Sequence, residues 1–109
     1  MAITTSSDAE LRSIIFEKER VIVKFTDENC NVCKQLAPSM EKFSDDPKYQ
    51  GITFLRMEAS ENPVSSKEVK LTGTPFFATY FNGTLKNCGL LSTEHEVKEL
   101  LDSLLVCCD

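Results

Sequence analysis

Features that would tie the protein to nucleic acid or to a membrane are missing from the sequence. No run of five or more Lys or Arg residues occurs, and 12 basic residues stand against 17 acidic ones, for a formal net charge of −5. We therefore expect no nucleic-acid partner, because a phosphate backbone is bound by clustered positive charge. The apolar runs are far shorter than the roughly 20 residues that cross a bilayer, so we expect no membrane association either.

The first ten residues, MAITTSSDAE, lack the basic region and the apolar core of a secretory signal peptide. We therefore expect a cytoplasmic protein, in a compartment where structural disulfides are rare. The odd number of cysteines also does not suggest a closed disulfide framework. We expect one of them to be buried in the core, Cys88, and two to be exposed thiols at the end of the chain, Cys107 and Cys108. Intermolecular disulfide formation through that terminal pair, or redox regulation by it, is the alternative.

Repeats, linkers and low-complexity segments are missing too. With 109 residues, of which 41% are hydrophobic and 27% charged, the composition is typical of one globular domain, which we assign to residues 1–109. The chain holds a single histidine, His95, and a single pair of cysteines in CxxC spacing. A structural zinc site needs four ligands, so we expect no metal at these cysteines.

Hydrophobic periodicity predicts helices that alternate with strands. The predicted order is helix, strand, helix, strand, helix, hairpin and helix, with a short strand around residues 2–5 before them. This order predicts an α/β fold, in which a mixed central sheet is covered by helices on both faces. The predicted helices lie near 8–19, from 30 to the mid-forties, from 63 to about 71 and after 93, and the predicted strands at 21–26, 52–57, 76–81 and from 84 onward.

Local signals mark the ends of several elements. Ser7 with Glu10, and Thr93 with Glu96, have the spacing of capping boxes at helix N-termini. Asn82-Gly83 stands between two of the predicted strands and predicts a hairpin with a type I′ turn, because both residues tolerate a positive φ.

The stretch VIVKFTDENCNVCKQL, residues 21–36, places two cysteines where a buried strand gives way to a helix. Cys30 and Cys33 fit a redox pair, half of a metal site, or two small buried side chains. A helix N-terminus stabilises a thiolate, so the nucleophilic thiol is expected at Cys30. Two intervening residues place Cys33 one helical turn away, within reach of a disulfide with Cys30.

The order of motifs along the chain resembles the thioredoxin family. A strand leads into the CxxC pair, Gly73-Thr74-Pro75 precedes the hairpin, Phe81-Asn82-Gly83 forms its turn, and Gly89-Leu90-Leu91-Ser92 leads into the last helix. A CxxC alone is weak evidence, whereas a CxxC with a Thr-Pro at the family's spacing is specific. The resemblance covers nearly the whole chain and implies the thioredoxin fold.

The resemblance also implies a thiol–disulfide oxidoreductase that acts on protein disulfides. Cys30 would be the exposed nucleophile, Cys33 the buried resolving thiol, and Pro75 a cis-proline that faces the pair. Thr74 would offer its backbone groups to a bound substrate strand. The implied enzyme needs no bound cofactor, takes electrons from a thioredoxin reductase or from glutathione, and is expected to be a monomer.

Two departures from the family pattern lie next to the first cysteine. Asn31-Val32 separates the cysteines where the most familiar members have Gly-Pro. Val32 has an N–H that proline lacks, and this N–H is a candidate donor to the Cys30 thiolate, which would make the disulfide more oxidising. Asn29 replaces an aromatic residue, which puts efficient use of general thioredoxin partners in doubt.

A third departure is Lys24, which stands where many thioredoxins have a buried Asp beneath the pair. A neutral Lys24 would act as a base for Cys33, and a charged Lys24 would lower the pKa of Cys33 by attraction. A surface lysine without a role is the third interpretation. Arg56 aligns with a lysine that partners the missing acid. The hypothesis is therefore a pair tuned by Lys24, Arg56, Asn31 and Val32 to be more oxidising than a typical reducing thioredoxin.

The resemblance implies a substrate groove beside the cysteine pair. An alternative to the enzyme is a thioredoxin-fold interaction module or redox sensor without turnover. The intact CxxC and Thr-Pro favour the enzyme, whereas Asn29 and Lys24 favour the alternative. The residues expected to line the groove are Val32, Thr74, Pro75, Gly89 and Leu90.

Overall fold

A computed structural model describes residues 3–106 and shows a five-stranded mixed sheet between helices. The strands are β1 Ile3–Thr5, β2 Arg20–Thr26, β3 Ile52–Glu58, β4 Phe76–Phe81 and β5 Thr84–Leu90. The helices are α1 Asp8–Glu17, α2 Asn31–Asp45, α3 Pro63–Glu68 and α4 Glu94–Leu105, and short 3₁₀ turns occupy Pro47–Tyr49 and Ala59–Glu61. The predicted order of elements and the predicted fold class are confirmed.

The strand order in the sheet is β1-β3-β2-β4-β5. β1, β3 and β2 pair in parallel, whereas β4 pairs antiparallel with β2 and with β5. β5 is therefore an edge strand. The predicted exposed thiols Cys107 and Cys108 lie outside the described residues. Within residues 3–106, no helix combines the length and the apolar character that a membrane span requires.

The two faces of β2 belong to different cores, because successive side chains of a strand point to opposite faces. Ile22 packs with Leu36 and Met40 of α2 and with Leu101 of α4. The residues on the other face of β2, Val21, Val23 and Phe25, pack in a second core with Leu11 of α1. The expected helices on both faces of the sheet are therefore present.

Of the two predicted capping boxes and the predicted type I′ turn, one box and the turn are confirmed. Thr93 and Glu96 form a complete capping box, and the Asn82-Gly83 turn has φ angles of 50° and 83°, as a type I′ turn requires. The predicted capping box at α1 is only half correct. The Ser7 hydroxyl accepts from the Glu10 backbone N–H, but the Glu10 carboxylate accepts from that same hydroxyl at 3.2 Å. The N-terminus of α1 is capped in either case.

The topology brings two distant segments of the chain to one end of the sheet. Phe25, near the end of β2, pairs with Phe76, the first residue of β4. The residues that follow β2 therefore lie beside those that precede β4. This end of the sheet holds the CxxC segment and the Thr74-Pro75 dipeptide.

Candidate active site

Cys30 and Cys33 are joined by a disulfide at the N-terminus of α2, with their Cα atoms 5.3 Å apart. Cys30 is the N-cap residue of α2, and its sulfur accepts a hydrogen bond of 3.1 Å from the backbone N–H of Cys33. Cys30 is half-buried, whereas Cys33 is only 3% exposed. The pair is thus asymmetric, with one sulfur open to a partner and the other shielded, in the positions that the resemblance implies.

A tight turn positions Cys30 at the start of the helix. The backbone N–H of Cys30 donates to the carbonyl oxygen of Asp27 at 3.0 Å, and the N–H of Asn29 donates to the Asp27 carboxylate at 3.1 Å. A short polar side chain that accepts from the backbone two residues later is a common way to close such a turn. The Asp27 side chain therefore holds the segment that presents Cys30.

A cavity of about 320 Å³ lies beside Cys30. The peptide bond between Thr74 and Pro75 is cis, as the resemblance implies, and Pro75 is buried. The cavity brings together three of the residues that the sequence analysis singles out, Cys30, Val32 and Thr74, with Asn31 beside them. Their roles in binding a substrate stay predictions. The remaining lining residues are Asp27 and Asn29.

The other expected groove residues, Pro75, Gly89 and Leu90, do not line this cavity, and that Pro75 faces the pair stays a prediction. Gly89 and Leu90 lie on β5 next to the Thr-Pro segment. Leu90 pairs with Phe76 across β4 and β5, and its side chain is 51% exposed. A Cβ atom at Gly73 would lie 3.4 Å from the Leu90 side chain. Leu90 therefore borders the segment that contains Thr74 and Pro75, and its contact with substrate stays a prediction.

Lys24 is buried beneath the cysteine pair, with 5% of its surface exposed. Its Nζ donates a hydrogen bond of 2.8 Å to the carbonyl oxygen of Cys33. Burial, and secondarily the positive charge of Arg56, lowers the pKa of Lys24. The interpretation of Lys24 as a surface lysine is wrong, because α2 covers the face of β2 from which Lys24 projects.

Arg56 lies beside Lys24, since the two residues pair across β2 and β3. Arg56 is exposed, and its guanidinium donates to the Thr5 hydroxyl at 3.3 Å. Both cations line a second cavity of about 270 Å³ under α2, together with Glu41. The structure thus places the two expected tuning residues in one cavity, whereas their effect on the cysteine pair stays a prediction.

The expected donation from the Val32 N–H to the Cys30 sulfur belongs to the reduced pair. In the disulfide form the sulfur accepts from the N–H of Cys33. Val32 is partly buried and packs against the core that includes α2 and α4. The N–H of Val32 stays a candidate donor to the thiolate.

The expectation that Cys88 belongs to the core is wrong. Cys88 is exposed, and its sulfur lies 3.7 Å from the carbonyl oxygen of Val69. The reason is its place on the edge strand β5, where six of the seven residues are exposed. Alternation of side chains predicts which face a residue occupies, but not whether a helix covers that face.

Asp27 is a site residue that was not singled out from the sequence. It lines the cavity beside Cys30 and also supports the segment that carries Cys30. The available signal is its position at the strand-to-helix turn, three residues before the CxxC pair.

Comparison with known proteins indicates the same family as the geometry of the cysteine pair and the cis-proline. A family model described as Thioredoxin matches residues 2–104. Thioredoxin 1 of Plasmodium falciparum is 32% identical over 97 residues, which cover 89% of this chain and 91% of that protein. Thioredoxin-1 of Schizosaccharomyces pombe is 31% identical over 78 residues, which cover 72% of this chain and 74% of that protein.

Solved structures show the same likeness. A structure of Plasmodium falciparum thioredoxin superposes with a TM-score of 0.84 at 31% identity, covering 92% of this chain and 96% of that one. Thioredoxin f from spinach chloroplast reaches a TM-score of 0.88 at 19% identity, covering 95% and 94%, which shows the shared fold. The chain belongs to the thioredoxin family. It is a thiol–disulfide oxidoreductase, and its redox-active pair is Cys30 and Cys33.

Proposed function

We propose that the protein exchanges disulfides with other proteins through a mixed disulfide formed at Cys30. The Cys30 thiolate attacks one sulfur of the substrate disulfide, and the other substrate sulfur leaves as a thiolate and takes up a proton. Cys33 then loses its proton and attacks the Cys30 sulfur, which closes the protein disulfide and releases the second substrate thiol. The asymmetry between half-buried Cys30 and buried Cys33 carries this assignment of roles.

The environment of Cys30 supports its role as the attacking group. Its sulfur lies at the N-terminus of the 15-residue helix α2 and accepts from the Cys33 N–H. Free N–H groups and the helix dipole at that end favour an anion, so they favour the thiolate that attack requires.

Trapping the mixed disulfide tests these roles. In a background with Cys88, Cys107 and Cys108 changed to Ser, Cys33→Ser leaves a nucleophile without a resolving thiol. We expect this variant to accumulate a stable covalent adduct with a disulfide-bonded protein, seen as one added mass that dithiothreitol removes. The matched Cys30→Ser variant should form no adduct. Trapping by Cys30→Ser alone would reverse the roles, and equal trapping by the two variants would refute the assignment of separate roles. No trapping by either would favour the interaction module or redox sensor.

We further propose that the pair is more oxidising than that of a typical reducing thioredoxin. Lys24 places an amine under the pair, and a thiolate formed on reduction favours the charged ammonium form. By linkage, a cation that stabilises the thiolate stabilises the reduced protein, which makes the disulfide a stronger oxidant. Arg56 adds positive charge in the same cavity.

A thioredoxin reductase or glutathione is proposed as the source of electrons, for a monomer that works in the cytoplasm. Single-turnover reduction of the Cys30–Cys33 disulfide by each donor would rank them. The sedimentation coefficient of the oxidised and the reduced protein would test the monomer, including association through Cys107 and Cys108.

A further inference from the structure

The cavity beside Cys30 contains one charged side chain, that of Asp27. This carboxylate does not swing freely, because one of its oxygens accepts the Asn29 N–H at 3.1 Å. The carbonyl oxygen of the same residue accepts the Cys30 N–H at 3.0 Å. Asp27 accepts both hydrogen bonds, and together they fix the position of its negative charge relative to the Cys30 sulfur.

The Asp27 carboxylate forms no ion pair in the described part of the chain. Neither Asp27 nor its exposed neighbour Glu28 takes part in an ion pair among residues 3–106. The end of β3 adds Glu58, which pairs in register with Thr26, the residue before Asp27. Lys24 is buried on the α2 side of the sheet and does not line this cavity. The one charged side chain that lines the cavity beside Cys30 is therefore a carboxylate that forms no ion pair among residues 3–106.

We propose that Asp27 selects disulfide substrates that carry Lys or Arg next to the reacting disulfide and disfavours substrates with acidic flanks. This inference rests on the proposed function, because it concerns the substrate that forms the mixed disulfide at Cys30. A polypeptide that reaches the Cys30 sulfur must occupy the cavity that Asp27 lines. Its flanking cation then lies within ion-pairing distance of a fixed carboxylate, and an acidic flank meets a like charge.

The expected size of the effect follows from the exposure of Asp27. Exposed ion pairs are weak and are screened by salt, with a Debye length of about 10 Å at 0.1 M ionic strength. We therefore expect a substrate with basic flanks to react about two- to fivefold faster than one with acidic flanks at low salt. Only a modest part of the preference should remain at 1 M salt, where the Debye length is about 3 Å.

Two peptides with one intramolecular disulfide each, identical except for two Lys or two Glu beside it, test the proposal. The reduced protein, with Cys88, Cys107 and Cys108 changed to Ser, is mixed with each peptide, and the second-order rate constant of a single turnover is measured. The ratio of the Lys-peptide rate to the Glu-peptide rate removes any effect on the Cys30 thiol itself, because that effect is common to both peptides.

In the wild type we expect this ratio to be about two- to fivefold at low salt and to fall toward one in 1 M sodium chloride. Asp27→Asn keeps an oxygen for the Asn29 N–H and removes the charge, so the ratio should fall two- to fivefold. Glu17→Gln makes the same change of net charge at the C-terminus of α1, at the opposite end of the sheet, and should leave the ratio unchanged. The salt dependence of the wild type tests the same idea without any variant.

The possible failures are distinguishable. Equal rates for the two peptides in wild type, or an unchanged ratio in Asp27→Asn, would overturn the role of Asp27 and leave the proposed exchange reaction standing. If neither peptide oxidises the reduced pair, both the proposed function and this inference fail.

Discussion

The Nζ of Lys24 lies 2.8 Å from the carbonyl oxygen of Cys33 and hydrogen-bonds to it, beneath the redox-active pair. The alternation of side chains along β2 explains the arrangement, because Lys24 projects from the same face as Ile22, which packs against α2. A basic group thus occupies the position under the cysteines where many members of the family place an acid. The first two predictions follow from this replacement of an acidic by a basic side chain.

Replacing Lys24 should make the pair more reducing. Lys24→Met keeps the length of the side chain and removes the charge that stabilises the thiolate form. We expect the reduction potential to fall by about 30 mV, which for this two-electron couple is about a tenfold change in the equilibrium with glutathione. Lys24→Asp should lower it further, because it adds a negative charge under the thiols.

Equilibration against glutathione buffers, in the background without Cys88, Cys107 and Cys108, measures these potentials. Lys67→Met, an exposed change on α3, is the matched control and should leave the potential unaltered. A potential in Lys24→Asp that is unchanged or higher would count against tuning by Lys24.

Lys24 also makes the stability of the oxidised protein depend on pH. Burial lowers its pKa in the folded state below that of the unfolded chain, about 10.4. Between the two pKa values the unfolded state binds more protons, so stability rises with pH across that window, and below both values the cost of a buried cation is fully present. Lys24→Met should flatten this rise and stabilise the protein at neutral pH by about 1 kcal/mol.

Urea unfolding of the oxidised protein between pH 7 and about 9.5 tests this dependence. The scan stops there because burial raises the pKa of Tyr80 and of Tyr49 to about 12, against a usual value of about 10. Above pH 10 those tyrosines ionise in the unfolded state before they ionise in the folded state. Their ionisation therefore stabilises the unfolded state and would oppose the rise in stability that Lys24 causes. A wild type and a Lys24→Met variant with parallel pH profiles would refute the prediction.

Asp102 anchors α4 to the turn at Pro47–Tyr49. Its carboxylate accepts from the buried Tyr49 hydroxyl at 2.7 Å and from Lys48 and Lys98 at 3.0 Å each. The Tyr49 hydrogen bond, followed by the two lysines, lowers the pKa of Asp102. We expect Asp102→Asn to cost about 1 kcal/mol at pH 7, since the group is partly exposed and its ion pairs are screened.

The sign of the pH effect is fixed by that lowered pKa. The contribution of Asp102 is complete above the unfolded pKa of about 3.9 and is lost as the pH falls toward the folded value. The stability difference between wild type and Asp102→Asn should therefore shrink in acid. Glu99→Gln, which removes an exposed pair with His95 on the same helix, should change stability by less than about 0.5 kcal/mol. A difference that persists unchanged below pH 3 would contradict the argument.

Position 83 in the hairpin turn requires glycine. Its φ is +83°, and a Cβ atom there would lie 2.6 Å from the ring of Phe16. Phe16 is exposed and its ring can move, but the backbone strain of a non-glycine residue remains. We expect Gly83→Ala to lower the free energy of unfolding by about 1–2 kcal/mol. Gly51→Ala, where a Cβ meets nothing within 4 Å, is the control and should unfold at nearly the wild-type urea concentration.

Much of the fold is predictable because its signals are local. The Asn82-Gly83 turn, the cap at Thr93 and the CxxC spacing each act over a few residues, and the structure contains all three. The burial of Lys24 and the exposure of Cys88 depend on which strand lies under α2 and which lies at the edge. Those are properties of the assembled sheet, which no local sequence signal reports. The cavity lined by Asp27 and Thr74 also depends on the assembled sheet, since the two residues come from segments far apart in sequence.

The most direct test of the exchange reaction is turnover by the pair itself. The rate at which dithiothreitol reduces a disulfide-bonded protein such as insulin is measured with and without catalytic amounts of the wild type, Cys30→Ser and Glu17→Gln. We expect wild type and Glu17→Gln to accelerate the reaction over many turnovers, and Cys30→Ser to leave the uncatalysed rate unchanged. Acceleration that survives in Cys30→Ser, or none with the wild type, would contradict the account.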